Sequence, residues 1–149
     1  MSTKVVISVL LALGFSSSPV FAGGPGAGTA APGVAVKPGR VFFIEPKDKS
    51  VVGQDVHVKM GVEGRAICPA GPETADKTCG HHHILIDQGF VPEGQVIAKN
   101  ETHHHYGKGE TEAHIKLTPG KHKLTLQFGD FAHRSYGEKL SQTIEVTVK

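Results

Sequence analysis

The chain reads as an all-β protein: a two-sheet antiparallel sandwich of immunoglobulin-like type with about seven strands. Three observations predict it. Apolar residues recur with period two wherever the sequence is regular, Gly/Pro-rich turns separate the regular segments, and no stretch carries the 3.6-residue period of an amphipathic helix. A barrel of about eight strands is the architecture that the same pattern would next allow.

The elements follow in order. Lys4, the apolar run Val5 to Phe15 and the small-residue site ending at Ala22 have the layout of a secretory signal peptide, residues 1–22. That run is too short to span a bilayer, so no membrane insertion is expected after cleavage. Gly23 to Gly39 is rich in Gly, Ala and Pro and lacks large apolar groups to offset the entropy of ordering it, so residues 23–39 read as a flexible tether. Residues 40–149 are then a single domain of ordinary size.

Within the domain, Arg40 to Glu45 is a β-rich opening strand that ends at the turn Pro46-Lys47-Asp48-Lys49. From Gln54 to Val62, Val56, Val58, Met60 and Val62 share one face, and Asp55, His57 and Lys59 share the other. His81 to Asp87 is apolar past its histidines, and a weaker strand runs near Gln95 to Ala98. Ala113, Ile115 and Leu117 lie opposite His114 and Lys116. After Pro119-Gly120, His122, Leu124, Leu126 and Phe128 alternate with Lys121, Lys123, Thr125 and Gln127. Ile144, Val146 and Val148 close the chain.

The two cysteines gain meaning from export, which permits disulfides. Cys68 and Cys79 bracket a turn-rich segment, and closing so short a loop contributes about 2–3 kcal/mol at most in the chain-entropy model. The geometric consequence matters more, because Cys79 sits just before a histidine triplet. A structural disulfide is the expectation, with thiolate ligation of a soft metal and free thiols as the other readings.

Ten histidines stand out against a formal net charge of +2. Loss of Lys4 brings the charge closer still to neutrality, which leaves no reason to seek nucleic acid or an anionic membrane. Two triplets, His81-His82-His83 and His103-His104-His105, lie inside the domain. Imidazole is the commonest protein ligand for transition metals, and histidine-rich tracts read first as metal binding. On a strand, residues i and i+2 project to one side about 6.5–7 Å apart, so His81 pairs with His83 and His103 with His105. The middle histidines point to the opposite face. His82 shares its parity with Ile84 and Ile86 and could reach an interior site alongside His122, which begins the strand face of Leu124, Leu126 and Phe128. His57 and His114 fall on polar faces beside lysines and read as solvated surface. His133 lies in the loop Gly129 to Arg134, where Asp130 could orient a ligand imidazole through its second nitrogen or form an Asx bond in a surface turn.

Imidazole donors suit zinc, copper and nickel, and copper(II) has the highest raw affinity at such sites. The chain lacks the H-E-x-x-H helix, paired CxxC ribbons and the Cys-then-Met arrangement of a blue-copper centre. Copper is therefore the expected ion and zinc the alternative.

Several stretches recur in one order: Phe43 to Asp48, Pro69-Ala70-Gly71, Gly80 to Asp87 (GHHHILID), His105 to Thr111 (HYGKGET), Pro119 to Leu124 (PGKHKL) and Gly129 to His133 (GDFAH). In these motifs the chain resembles the exported domain-of-unknown-function family numbered 4399, over roughly residues 40–149. The resemblance implies a bacterial periplasmic β-domain whose recurrent histidines suggest copper. By matching motif these fall on His81, His82, His83, His105, His122 and His133; His103 and His104 lie beside the matching His105. Many relatives carry a histidine-proline stretch after the last motif. Here Arg134-Ser135-Tyr136-Gly137 stands in its place, so any ligand from there is missing or replaced.

The expectation is a periplasmic or secreted protein that holds one or two mononuclear copper ions by histidine, for sequestration, delivery or electron transfer. His82, His105, His122 and His133 form the expected primary site, and His81, His83 and His103 a second or peripheral set. The expected partners are the metal ion and another periplasmic copper protein. A copper or zinc enzyme of oxidase or dismutase type is the alternative, though no general base beyond the ligands is apparent. A metal-free binding or scaffold module is the third reading.

Overall fold

A computed structural model describes residues 39–71 and 78–149; the expected signal peptide and tether lie outside these residues, apart from Gly39. Among the described residues the fold is built from eight strands: β1 (Arg40–Glu45), β2 (Ser50–Val52), β3 (Asp55–Glu63), β4 (His81–Ile86), β5 (His103–His105), β6 (Glu112–Lys116), β7 (Gly120–Gly129) and β8 (Ser141–Val148). A single 3-10 turn, Glu138–Leu140, leads into β8. Among the described residues no helix is long and apolar enough to cross a membrane.

The strands form two sheets, β1-β3-β6 and β2-β8-β7-β4-β5. All neighbours are antiparallel except β2, which pairs in parallel with β8. The all-β sandwich read from the period-two pattern is thus the observed fold. Two details differ from the sequence reading. Ser50–Val52 forms an edge strand too short to show alternation. The weak strand expected near Gln95 to Ala98 is instead an irregular segment, anchored by an isolated bridge between Val96 and Arg134.

Between the sheets lies an aliphatic core. Val56, Val58 and Met60 of β3 and Ile115 of β6 meet Ile84 and Ile86 of β4, Leu124, Leu126 and Phe128 of β7, and Ile144 and Val146 of β8. The small sheet follows simple alternation, buried on one face and solvated on the other. The large sheet does not. All six residues of β4 are buried, and so is every residue of β7 from Leu124 onward.

The second face of the large sheet is buried because two irregular segments roof it. Gln88 accepts a hydrogen bond from Thr125 Oγ1 at 2.7 Å through its carbonyl. Gln127, fully buried, accepts from the Val91 amide at 2.7 Å and donates to the Gly137 carbonyl at 3.0 Å. Ser135 donates to the Val91 carbonyl at 2.6 Å, and the Ile97 amide donates to the His133 carbonyl at 2.8 Å. Polar side chains on β7 are tolerated there because each finds a backbone partner in the roof.

At the far end of β7, His122 clasps Asp87. His122 Nδ1 lies 2.8 Å from Asp87 Oδ2, and Nε2 lies 2.9 Å from the Thr118 carbonyl. Asp87 Oδ1 also accepts from the Lys123 amide at 2.8 Å. Burial works against protonation of His122, but the Asp87 carboxylate and the Thr118 carbonyl outweigh it, and its pKa is raised from 6.5. For Asp87, burial is likewise outweighed, by the Lys123 amide and His122, and its pKa falls below 3.8.

The signs define a pH window for the clasp. A raised histidine pKa gives stability that is complete below 6.5 and lost as pH rises through the raised value. A lowered carboxyl pKa gives stability that is complete above 3.8 and lost as pH falls through the lowered value. Asp87→Asn should therefore lower the melting temperature most between these limits, by an amount equivalent to about 1 kcal/mol given the half-exposed carboxylate. Melting curves of both proteins from pH 3 to 9 check this; a constant difference across the range would contradict it.

Candidate metal centre

The roofed face of the large sheet is where the histidines converge. In the β4/β7 ladder His81 faces Gly129 and His83 faces Gln127, and in β4/β5 His83 faces His105. These cross-strand partners share one face, so parity places His81, His83 and His105 together on the side away from the sandwich core. His133 comes down onto them from the roof. Ring centroids are 4.8 Å apart for His81 and His83, 5.0 Å for His81 and His105, 5.2 Å for His83 and His105, and 4.7 Å for His105 and His133.

Ligand atoms of His81, His105 and His133 all lie within 4.8 Å of one another, so these three histidines could hold a metal ion. His105 Nε2 and His133 Nε2 are already 3.0 Å apart. Two imidazole–metal bonds of about 2.0–2.1 Å span such a gap with small ring movements. His83, 6.0 Å from His133 by centroids, closes the cluster on the floor.

Burial sets the electrostatics. His81 and His83 are fully buried, and neither nitrogen of either ring has a hydrogen-bond partner. Leaving a buried polar group unsatisfied costs about 1–3 kcal/mol, so the fold carries a penalty that a bound cation would offset. Burial, reinforced by neighbouring rings, pushes the His81 pKa down to about 4 and that of His83 to about 2. Burial also lowers His105, aided by His133 and Lys99. At neutral pH these rings are uncharged with lone pairs free, the state that metal ligation requires.

Local sequence holds the ligands in place. The Asp130 carboxylate accepts from the Ala132 and Arg134 amides, both at 2.8 Å, and the Asp130 carbonyl accepts from the His133 amide at 2.9 Å. This loop holds His133 at φ 63°, a left-handed conformation uncommon outside Gly, Asn, Asp and His. Asp130 thus acts on His133 through the loop backbone, the Asx arrangement, and not by bonding a ring nitrogen. Gly107 leaves the space that the His105 ring fills, since a Cβ there would overlap the ring. At Gly129 a Cβ would crowd His83 at 3.0 Å and Ile97 at 3.1 Å.

Cys68 and Cys79 form the expected disulfide. Just past Cys68, the Ala70 amide donates to the Gly107 carbonyl at 2.8 Å and the Gly71 amide to the Phe131 carbonyl at 3.1 Å. Ala70 and Gly71 are therefore laced to the turn that follows His105 and to the loop that carries His133.

The remaining expected ligands lie elsewhere. His82 faces the core, edge-on to Phe128 at 5.2 Å, with both nitrogens unpartnered and its pKa lowered to about 4 by burial. His122 is six residues from Phe128 along β7, about 20 Å at strand rise, and both its nitrogens are engaged in the clasp. An interior site shared by His82 and His122 is therefore not what the ladder builds. His103 turns to Asn100 and Thr102, each 3.0 Å from its Nδ1. The sequence reading quoted Pro69-Ala70-Gly71 and the stretch containing Gly107 only as motifs, and gave neither of them a part in placing His105 and His133.

The family described as domain of unknown function (DUF4399) matches residues 58–149, which include every histidine of the cluster. The chain belongs to that family. No curated protein matches it. Among solved structures, an endo-beta-1,4-mannanase from Thermotoga petrophila is similar with a TM-score of 0.46 and 17% identity, over 79% of this chain and 21% of that one. The chain spans about a fifth of that enzyme's length, and the likeness bears on neither the site nor its chemistry.

Gly107→Ala should displace the His105 ring and weaken metal binding about tenfold or more, on the scale set by disturbing groups that orient metal ligands. Gly53→Ala, where a Cβ meets nothing within 4 Å, should leave binding unchanged. Competition titration against a chromophoric chelator measures both.

Proposed function

We propose that this DUF4399 protein is an exported copper-binding protein that holds a mononuclear ion through His81, His105 and His133, with His83 as a fourth imidazole. Its role would be copper sequestration, delivery or electron transfer in the periplasm or outside the cell. One observation carries the reading: buried imidazoles converge with their nitrogens unpartnered and their pKa values depressed. Such a site costs stability unless an ion occupies it.

Copper is favoured over zinc by the donor set. Nitrogen-only sites follow the affinity order that peaks at copper(II), and the centre offers neither thiolate nor carboxylate to bias it toward other ions. His81 and His83 are sealed below, whereas His105 and His133 are only half-buried. An ion would thus be gripped from the sheet and reached from the roof side, which suits transfer to a partner. The disulfide accords with an oxidising compartment.

The same half-exposed side favours a second reading, a copper or zinc enzyme with a coordination position open to substrate. Superoxide loss at sub-stoichiometric protein would distinguish it from a carrier.

Metal analysis of the exported chain after dialysis against copper should find about one tightly held equivalent, with nitrogen hyperfine structure in the copper(II) resonance spectrum. The triple variant His81→Gln/His105→Gln/His133→Gln should lose it. Retention of the tight equivalent by that variant would refute the assignment. His83→Leu should raise the melting temperature of the metal-free protein, by the equivalent of about 1–2 kcal/mol, because it removes two orphaned polar atoms. It should also diminish the stabilisation that copper confers on the native protein.

A further inference from the structure

The small sheet carries a second group of histidines on its solvated face, far simpler in construction than the roofed cluster. β3 reads Asp55-Val56-His57-Val58-Lys59 and β6 reads Glu112-Ala113-His114-Ile115-Lys116, so both strands present acid, histidine and lysine on alternate positions. Their antiparallel register sets His57 directly opposite His114, Asp55 opposite Lys116 and Lys59 opposite Glu112. The face therefore has local two-fold pseudo-symmetry, in which the acid of each strand lies diagonal to the histidine of the other.

The geometry follows that register. The two imidazoles stack with centroids 4.7 Å apart and planes within 16°. His114 Nδ1 lies 2.8 Å from Asp55 Oδ1, and His57 Nε2 lies 3.4 Å from Glu112 Oε2. Asp55 thus orients His114 and leaves its Nε2 outward, the carboxylate–histidine arrangement that supports a metal ligand. Of the two lysines that flank the histidines, Lys59 is drawn off to Glu45 at 3.2 Å. To share an ion at bond lengths of about 2.0–2.1 Å the stacked rings must tilt toward each other until their in-plane lone pairs converge, a change that side-chain rotation at the sheet surface can supply.

We propose that the outer face of the small sheet is a second, solvent-exposed transition-metal site, in which His57 and His114 bind a divalent ion of the zinc or copper(II) class beside the carboxylates of Asp55 and Glu112. Two imidazole nitrogens are donors that both ions accept, with Asp55 and Glu112 holding the rings and supplying negative charge nearby. Binding is weaker than at a buried centre, because exposed side chains lose rotamer freedom when they close on the ion. The proposal stands apart from the reading of the roofed cluster and survives its failure.

The test is calorimetric titration of the exported chain with zinc(II) or copper(II) chloride, paired with imidazole resonances recorded as copper(II) is added. A weaker binding event should appear, and the His57 and His114 ring signals should broaden with it. His57→Gln/His114→Gln should abolish that event while keeping the melting temperature, and Asp55→Asn should weaken it about tenfold. The triple variant of the roofed cluster should retain it. If His57→Gln/His114→Gln binds the same number of ions with the same affinities, or if copper(II) leaves those two ring signals sharp, the site does not exist.

Discussion

The roof over the large sheet is the constraint on which the rest of this structure depends. A sheet in a two-layer sandwich needs only one buried face, and β3 and β6 obey that economy. β4 and β7 do not, because residues 88–97 and 130–137 close over their outer face and are pinned there by Thr125, Gln127 and Ser135. Once that face is dry, any polar side chain on it must find a partner within the protein. Thr125 and Gln127 find backbone groups. His81 and His83 find none.

That difference separates structural polarity from a candidate binding site. Evolution could fill the positions of His81 and His83 with aliphatic residues, as it does at Ile84 and Leu85 on the same strand. Two orphaned imidazoles cost stability instead, and their neighbours are two more imidazoles. Mutual repulsion among charged rings and the absence of water both favour the neutral form. Neutral, desolvated and convergent imidazoles are poor at stabilising a fold and good at holding a cation.

The clustered histidines are held in place from several directions. The strand ladder fixes three rings, the Asx loop fixes the fourth at a left-handed backbone conformation, and Ala70 and Gly71, close to the disulfide, tie that loop to the turn after β5. The motif histidine at His122 has a different occupation. Paired with Asp87, it joins the end of β4 to the start of β7, and so holds the far end of the ladder that bears the cluster.

Much of this was legible in the residues. Period two along Val56 to Val62 and Leu124 to Phe128 determines strands, because successive side chains on a pleated backbone must point to opposite faces. The same parity unites His81 with His83, and the spacing and setting of Cys68 and Cys79 foretold their bond. Which face of β4 would carry the centre was beyond it. The sequence reading joined His82 to His122 on the core side, since alternation marks that side as buried. Burial of the other side depends on the path of two irregular segments, which have no period to read, and on long-range hydrogen bonds such as those from Gln127. Local chemistry along the chain determined which residues could serve as ligands and the strands that bear them; only the tertiary structure decided which rings meet, because their meeting depends on where the loops cross the sheet.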